Sequence, residues 1–488
     1  MPSYSTPGVY IEEVPVFPPS IAPVATAIPA FIGATEKAVG KKGEDLTGKA
    51  VRITSLLEYE AFYGGGAPKD VTVKVERHLL ADGSFKEYQL SWDGAPPGLP
   101  TFFLYPSLQL YFANGGGPCY IYSVGDYGAV PNKGKFTGAI TALEAEDEPT
   151  LLVFPDAVKL GTDADHGAVV DAALASANKM QDRFVIADVR DAVPGGTDSG
   201  DKVTANFRNN VKKGTPEFAK YGAAYFPYLV TNVPFMIDDA QVDVKSYEDV
   251  KPKPNGTLER TAVDTKKGKL SGLKYKEEES ALYSQLRSFV DAATMTLPPS
   301  GAMAGIYAQT DRTRGVWKAP ANVGISLAIA PAIPITNDLQ DGLNVDPTTG
   351  KSVNVVRSFF GKGTMVWGAR TLAGNDSEWK YVNVRRFANF VEESVKKAVN
   401  SFVFEANDAN TWNKVKSMID GFLSNQWRDG ALMGRKPTDA YRIAVGLGET
   451  MTAQQVLDGY MIIDVYLAIV RPAEFIVLRF MQKMPEAA

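Results

Sequence analysis

The feature that most constrains the fold is a strand, a helix and a second strand that follow one another between residues 150 and 189. The apolar runs TLLVF (150–154) and RFVIADV (183–189) are typical of buried strands. Between them, HGAVVDAALASANKMQ (166–181) repeats its apolar residues at helical spacing. This order predicts a right-handed βαβ unit with parallel strands. The chain is therefore expected to be an α/β protein of the mixed α+β kind.

Apolar periodicity predicts further strands and helices on both sides of this unit. The expected elements are strands near 30–38, 119–124, 441–447 and 459–470, and helices within 51–66, from residue 106, and at 277–295, 379–404 and 409–427. The helix at 379–404 has apolar residues at spacings of three and four. Its exposed face is expected to carry Arg386, Glu393, Lys396 and Lys397.

Two stretches differ from their surroundings and read as insertions. Residues 71–92 alternate apolar and polar side chains around Asp82-Gly83, which predicts a β-hairpin within an insertion at about 67–100. Residues 234–280 are rich in Lys, Asp, Glu and Gly and have little periodicity, so an exposed excursion is expected there.

Composition narrows the possible partners. The chain has 488 residues and a formal net charge of −5, which does not favour general electrostatic binding to nucleic acid or anionic lipid. Its one cysteine excludes an internal disulfide, and the first residues lack a basic and then apolar signal sequence, so assembly in the cytoplasm is expected. The apolar runs at 324–335 and 459–480 are broken by proline or charge, so no membrane insertion is expected.

Catalytic and metal-binding patterns are weak. His78 and His166 stand far apart without a ligand-like pattern, and no glycine run has the spacing of a phosphate loop. One enzymatic alternative stays open. Asp156, Asp188 and Asp191 follow two strands of the predicted parallel sheet, where they could converge to hold Mg²⁺ in a hydrolase or phosphatase. No cofactor is expected otherwise.

The two ends of the chain are unlike the rest. The first 30 residues contain seven prolines, which exclude a helix or a central strand and indicate an extended arm. Within the arm, GVYIEEV (8–14) alternates as an edge strand would. At the other end, FIVLRF (475–480) is an apolar strand without a following element to cover it.

Five segments in order resemble the contractile tail sheath family of phages and of phage-tail-like contractile injection systems. They are YSTPGVYIEEV (4–14), PPSGAMAGIYAQTDRTRGVWKAPAN (298–322), GKGTMVWGARTLAGNDSEWKYVNVRRF (361–387), FVFEANDANTW (402–412) and RPAEFIVLRF (471–480). The resemblance implies a structural protein, not an enzyme, that forms stacked hexameric rings around an inner tube. It implies further contacts with baseplate and terminal cap proteins, and contraction without nucleotide, in a phage tail or a tail-like particle released from the cell. A rigid tube or baseplate component is the alternative within this class.

The resemblance also implies a division of the chain and roles for its residues. The implied parts are an N-terminal arm (1–23), an inner domain built from 24–130 and 351–471, an outer inserted α/β domain (131–350) and a C-terminal arm (472–488). Arm strands shared between neighbouring subunits would contain Val9, Tyr10, Ile11, Phe475, Ile476, Val477, Leu478, Arg479 and Phe480. Ile476, Leu478 and Phe480 would face the neighbour. Pro15, Pro18, Pro19 and Pro472 would act as hinges, and Arg386, Lys396 and Lys397 would face the tube.

Overall fold

The computed structural model describes residues 20–128, 132–190, 200–213, 215–272 and 280–479. Several residues named above lie outside these ranges: Val9, Tyr10, Ile11, Pro15, Pro18, Pro19, Asp191 and Phe480.

The secondary structure alternates between strands and helices over most of the chain. The strands are β1 (Pro29–Thr35), β2 (Ala50–Ile53), β3 (Val71–Leu79), β4 (Phe85–Trp92), β5 (Cys119–Asp126), β6 (Leu151–Val153), β7 (Phe184–Asp188), β8 (Gly222–Phe226), β9 (Leu229–Thr231), β10 (Val242–Pro252), β11 (Leu258–Ala262), β12 (Gly268–Lys269), β13 (Met295–Leu297), β14 (Val323–Gly324), β15 (Ala328–Pro331), β16 (Val353–Phe359), β17 (Gly363–Val366), β18 (Tyr441–Ala444) and β19 (Asp464–Leu467). The helices are α1 (Leu56–Tyr63), α2 (Leu104–Ala113), α3 (Lys133–Ala142), α4 (Asp163–Met180), α5 (Gly200–Asn210), α6 (Pro216–Ala219), α7 (Ser280–Asp291), α8 (Ser300–Arg314), α9 (Asn337–Asn344), α10 (Val382–Val399), α11 (Ala409–Arg428), α12 (Pro437–Ala440) and α13 (Ala453–Leu457).

The described residues divide into two compact units. The larger unit contains Ala25–Asn389 together with residues 471–479, and the smaller unit contains residues 20–24 and Phe390–Val470. The helix α10 contributes residues to both units.

A mixed sheet of nine described strands organises the larger unit, in the order β14-β17-β16-β8-β7-β6-β1-β5-β2. The six strands from β16 to β5 are parallel, and β6, α4 and β7 form the predicted βαβ unit. Strands β1, β7 and β8 are buried along their whole length, as parallel strands covered on both faces must be. The predicted α/β class is confirmed.

Helix α8 packs very closely on α2, against the sheet. A Cβ atom built on Gly301 would lie 2.4 Å from the carbonyl oxygen of Ser107, and one built on Gly305 would lie 2.5 Å from that of Tyr111. Side chains at these two positions would therefore push the helices apart. The glycines in the segment PPSGAMAGIY have this packing role.

The two predicted insertions contribute strands to the same five-stranded sheet. Strands β3 and β4 make the expected hairpin, with Gly83 in the turn at φ +87°, and β3 pairs in parallel with β10 in a five-stranded sheet that also holds β11 and β12. The segment 234–280, expected as an exposed excursion, contains the regular strands β10, β11 and β12, of which β11 is exposed along its whole length. Strand β10 buries Val242, Val244, Tyr247 and Val250, and a bulge after Val244 shifts the alternation by one residue. Because of this shift, the alternation of apolar and polar residues that marks a strand is interrupted in the sequence.

The expected division at residues 130 and 350 does not match the two compact units. Strands β1 and β5 come before residue 130, β6 to β8 follow it, and β16 and β17 follow residue 350, yet all lie in one sheet. Neighbouring parallel strands are joined through long crossovers, so a boundary placed by sequence position can cut through a sheet. Placement of any part inside or outside a particle stays a prediction.

The smaller unit is built around α11 and a two-stranded sheet. Helix α11 is capped by Asp408, whose carboxylate accepts the backbone N–H of Thr411 at 2.9 Å. Strands β18 and β19 pair antiparallel, and β18 packs on α11 through Tyr441 and Ile443. Across the described ranges of the whole chain, every helix is too short or too polar to cross a bilayer.

Candidate functional site: the C-terminal segment and its surroundings

Glu474 fixes the start of the C-terminal segment on the larger unit. Its carboxylate accepts hydrogen bonds from Arg370 (Nη2 to Oε2, 2.6 Å; Nε to Oε1, 3.0 Å), from Asn344 Nδ2 (2.9 Å) and from the Tyr381 hydroxyl (3.1 Å). Burial raises the pKa of Glu474, but the donors from Arg370, Asn344 and Tyr381 outweigh it and hold the pKa below its ordinary value. Glu474 is therefore ionised at neutral pH.

Arg370 is itself held in the interior. Its side chain is 6% exposed, and its Nη1 donates to the carbonyl oxygens of Asn344 and Gly374. Its backbone N–H donates to the side chain of Asn354 in β16 at 2.7 Å. Sequence reasoning missed both Arg370 and Glu474. The available signal was a single carboxylate inside the apolar run RPAEFIVL.

The four residues that follow Glu474 are apolar and exposed. Phe475, Ile476, Val477 and Leu478 are each between 72% and 78% exposed, on both alternating faces. Within 471–479 the structure assigns no strand. The roles of Phe475 to Arg479 in a shared sheet therefore stay predictions. Four consecutive exposed apolar side chains are unusual for a finished surface and typical of a segment that binds another protein.

Pro472, a predicted hinge, lies between two residues that contact the larger unit. On one side Arg471 Nη1 donates to the carbonyl oxygen of Ser377 at 2.8 Å, and on the other side Glu474 binds Arg370. The hinge role of Pro472 stays a prediction.

The two-stranded sheet of the smaller unit has free strand edges. In the described residues, β18 and β19 have only each other as neighbours. An open groove of about 630 Å³ runs along β18 beside α11. Its lining includes Lys416, Asp420, Pro437, Tyr441, Arg442 and Ile443. A strand that lacks a neighbour offers unpaired backbone N–H and C=O groups to an added strand.

The predicted exposure of Arg386 on α10 is wrong. Its side chain is 3% exposed and forms two bonds with Asp311 of α8, at 2.9 Å and 2.5 Å. Its guanidinium also lies over the ring of Tyr307 at 4.6 Å and donates to the carbonyl oxygen of Thr26. The pairing joins the segments TDRTRG (310–315) and VNVRRF (382–387) within the larger unit. Asp311 was missed because its partner is 75 residues away.

Lys396 and Lys397 do lie on an exposed part of α10. Their side chains are 64% and 42% exposed, and both form ion pairs with Glu393 one turn earlier, at 3.1 Å and 3.4 Å. Glu393 itself is buried, contrary to expectation, which the two flexible lysine side chains allow by covering it. Contact of these lysines with an inner tube stays a prediction.

Asp156, a candidate metal ligand, binds backbone groups instead. Its two carboxylate oxygens accept the N–H groups of Ala34, at 2.8 Å, and Phe103, at 2.5 Å. Burial raises the pKa of Asp156 to about 6, against these hydrogen bonds. The carboxylate thus joins β1 to the start of α2.

Asp188 has the same kind of role at the end of β7. It accepts the backbone N–H of Ser300 at 2.8 Å and the Ser300 hydroxyl at 2.5 Å, at the beginning of α8. Burial raises its pKa to about 7, more than the bonds from Ser300 lower it. Asp156 and Asp188 lie at the ends of neighbouring strands as predicted. Each carboxylate, however, accepts hydrogen bonds from residues at the beginning of a helix.

The histidines do not form a site with these carboxylates. His78 lies 3.2 Å from Glu76, and His166 is buried beside Phe207 with its pKa lowered to about 4 by burial. Among the described residues, no group of three His, Cys, Asp or Glu side chains is arranged to hold a metal ion.

The chain is similar to known tail sheath proteins. Residues 374–483 match the model of the phage tail sheath C-terminal domain, and this range includes Phe390–Val470 of the smaller unit and Glu474. The tail sheath protein of Vibrio phage KVP40 is 27% identical over 192 residues, which is 39% of this chain and 27% of that protein. The chain therefore aligns with less than a third of the length of this curated relative.

Two solved structures match over nearly the whole chain. The helical sheath of the anti-feeding prophage in its contracted state is 30% identical, with a TM-score of 0.63, over 99% of this chain and 100% of that one. The PVC sheath of an extracellular contractile injection system, also contracted, is 28% identical, with a TM-score of 0.62, over 99% of each chain. The fold, the family model and the full-length identity agree, and the chain belongs to the contractile tail sheath protein family.

Proposed function

We propose that this chain is the subunit of a contractile sheath, assembled in the cytoplasm as part of a phage tail or a tail-like particle. Copies stack as hexameric rings around an inner tube, between baseplate and terminal cap proteins, and contract to drive the tube through a target envelope. The observation that carries the proposal is the presence, in one chain, of an exposed apolar arm and a sheet with free edges.

The arm and the sheet fit one another as parts of different copies. Residues 475–478 provide an extended apolar segment, and the free edges of β18 and β19 provide unpaired backbone groups. Adding a strand in this way gives affinity through backbone hydrogen bonds and register through alternate side chains. The arm at residues 1–19, which contains Val9, Tyr10 and Ile11, would add to the same sheet from another neighbour.

The free energy of adding one arm strand is small, so one arm binds reversibly and strong binding needs several arms. Each new hydrogen bond contributes about 0.5–1.5 kcal/mol, and each newly buried large apolar side chain about 1.5–3 kcal/mol. Ordering the backbone costs about 1–2 kcal/mol per residue. One arm therefore binds modestly, while several arms per subunit in a polymer bind tightly through effective concentration.

The groove beside β18 offers a place for the N-terminal arm. Lys416 and Arg442 line this groove, and the segment GVYIEEV carries Glu12 and Glu13. Opposite charges would favour this arm over the C-terminal arm, which carries Arg479. Asp420 also lines the groove, where it accepts the Tyr441 hydroxyl at 3.0 Å, so the lining carries two cations and one anion.

Contact with the inner tube would use Lys396 and Lys397. Exposed ion pairs are weak and screened by salt, so a contact made of them releases easily when the sheath moves. Arg386 is not part of this surface because it is buried against Asp311. Contraction would need no nucleotide, since the free energy would be stored in the extended assembly and released on repacking.

Deleting residues 475–488 tests the proposal. The shortened chain keeps Glu474 and should remain a folded monomer, but it should form no sleeves, meaning the tubular polymers that the full chain is expected to form. The matched control deletes only 481–488 and keeps the apolar segment, so it should still form sleeves. Electron microscopy and sedimentation of the purified chains provide the measurement. Normal sleeves from the chain lacking 475–488 would contradict the proposal.

A further inference from the structure

The C-terminal arm does not extend freely from the strand that precedes it. Strand β19 ends at Leu467, and residues 468–470 stay in the smaller unit, where Ala468 donates to the carbonyl oxygen of Ala440 and Val470 to that of Ala431. From Arg471 onward the chain is held by the larger unit. The arm therefore begins only after Glu474.

The binding partners of Glu474 form a built receptor for one carboxylate. Asn344 is the last residue of α9, Arg370 follows β17, and Tyr381 precedes α10, so three separate parts of the larger unit supply the donors. Arg370 is almost completely buried, and a buried charge needs a partner. Three donors from separate parts of the chain hold this carboxylate more firmly than the turn of a surface loop requires.

We infer that Glu474 and its three donors are the mechanical root of the C-terminal arm. The inference rests on the proposed function, in which another copy holds the arm and pulls on it. With the root in place, the pull is carried by the larger unit. Without it, the pull would first break the bonds of Ala468 and Val470 to Ala440 and Ala431. It would then separate β19 from β18, the one strand it pairs with in the described chain.

The geometry makes this separation the expected failure. The β18–β19 ladder has four paired positions, from Tyr441 with Leu467 to Ala444 with Asp464. A pull on the end of a short antiparallel pair breaks its hydrogen bonds one after another, whereas Glu474 shares its bonds among three partners at once. The root thus protects the sheet that is proposed to accept arms from neighbours.

A nitroxide label attached through Ala473→Cys reports on the root in the unpolymerised full chain. Ala473 is exposed, and the natural Cys119 is buried and is replaced by alanine. We expect an immobile label in the parent chain and a mobile one after Glu474→Gln, which keeps the shape but removes the charge. The matched control is Glu378→Gln, an exposed carboxylate near Arg471's partner Ser377, which should leave the label immobile. An equally immobile label after Glu474→Gln would overturn the inference.

The polymer gives the second readout. In sleeves, Glu474→Gln should increase hydrogen exchange of residues 464–467 relative to the Glu378→Gln control, and should reduce the number of intact sleeves. Unchanged exchange would contradict the inference. If Glu474→Gln prevents folding, Glu474→Asp, which keeps the charge and shortens the reach, should show both effects to a smaller extent, and a parent-like result would overturn the inference.

Failure of the inference and failure of the proposed function give different results. If the chain lacking 475–488 still forms sleeves, the arm is not needed and the proposed function is wrong. If that chain forms none while Glu474→Gln behaves like the parent in both measurements, the arm is needed but Glu474 is not its root.

Discussion

The two units differ in how many of their strands have a neighbour on both sides. The larger unit has a nine-stranded sheet, and the smaller unit has a two-stranded one. In the larger sheet β1, β7 and β8 each have two neighbours and are buried along their whole length. In the smaller sheet each strand has one neighbour among the described residues, and Tyr466 of β19 is 56% exposed. An isolated two-stranded sheet is only marginally stable. The core of the nine-stranded sheet is thus formed within one chain, whereas we propose that the two-stranded sheet is completed by strands from other copies.

The largest expected effect is on the interior of the larger unit. Arg386→Ala leaves the Asp311 carboxylate buried without its partner, so we expect the free energy of unfolding to fall by about 3–5 kcal/mol. Urea denaturation followed by circular dichroism measures this loss. Lys396→Ala on the same helix is the control and should stay within about 0.5 kcal/mol of the parent. Equal effects of the two changes would contradict the assignment of Arg386 to the interior.

Asp188 should make the stability of the larger unit depend on pH. Its pKa rises from 3.8 to about 7 on folding, chiefly through burial, so the stabilisation from its protonated form is present below about pH 4 and is lost as the pH rises through 7. The size is about 1.4 kcal/mol for each unit of pKa shift. Urea denaturation between pH 4 and 8 measures it, and Asp188→Asn should flatten the profile. An unchanged profile would contradict the prediction.

The free edge of β19 can be blocked without damage to its ladder with β18. Because Ala468 donates its N–H to Ala440 and N–H directions alternate along a strand, the N–H of Val465 faces the free edge. Val465→Pro should therefore abolish sleeves with little change in monomer stability. Tyr466→Pro instead removes a bond to β18 and should cost the monomer about 1–3 kcal/mol. Sleeves of normal number from Val465→Pro would show that this edge accepts no strand.

Glu474 should respond to pH in the opposite direction from Asp188. Its folded pKa lies below the ordinary 4.5, so its contribution is present above that value and is lost as the pH falls through the lowered one. Arg370 faces it as a cation and Tyr381 as a neutral donor over this range. The label at position 473 should stay immobile from pH 8 to pH 5 and become mobile only in stronger acid. Release near pH 6 would contradict this.

The smallest expected effect is on the exposed end of α10. Replacing Lys396 alone by alanine should change the free energy of unfolding by no more than about 0.5 kcal/mol, because Lys396 is exposed and Lys397 keeps its ion pair with Glu393. The same variant should assemble fewer sleeves around tubes, and the difference from the parent should shrink in high salt. Electron microscopy at two salt concentrations measures this. Unchanged assembly around tubes would remove Lys396 from the proposed contact.

Local patterns predicted elements whose cause is local. The βαβ unit and the hairpin at Asp82-Gly83 depend on neighbouring residues, and both are confirmed. Strand β10 was missed because a bulge breaks its alternation. The single nine-stranded sheet was missed because pairing between distant parallel strands leaves no mark in one sequence.

The candidate site was less predictable because its contacts are non-local. The spacing of residues along α10 could not reveal that Arg386 pairs with Asp311. The sequence around Glu474 likewise gives no sign that its partner is Arg370, 104 positions earlier. The exposure of residues 475–478 could be predicted from the apolar run FIVL, for which the sequence offers no partner strand within the chain. Asp156 and Asp188 were placed correctly at strand ends, but their helix partners were not foreseen.

Cross-linking between copies tests the central claim most directly. A photoreactive amino acid in place of Tyr466 lies on the exposed face of β19, and sleeves can be assembled from a mixture of this variant and an isotope-labelled parent chain. Mass spectrometry then identifies the linked peptides and the copy they come from. The account predicts links from position 466 to residues 1–19 or 472–488 of the labelled copy. Links confined to the same copy, or to other parts of the labelled copy, would contradict it.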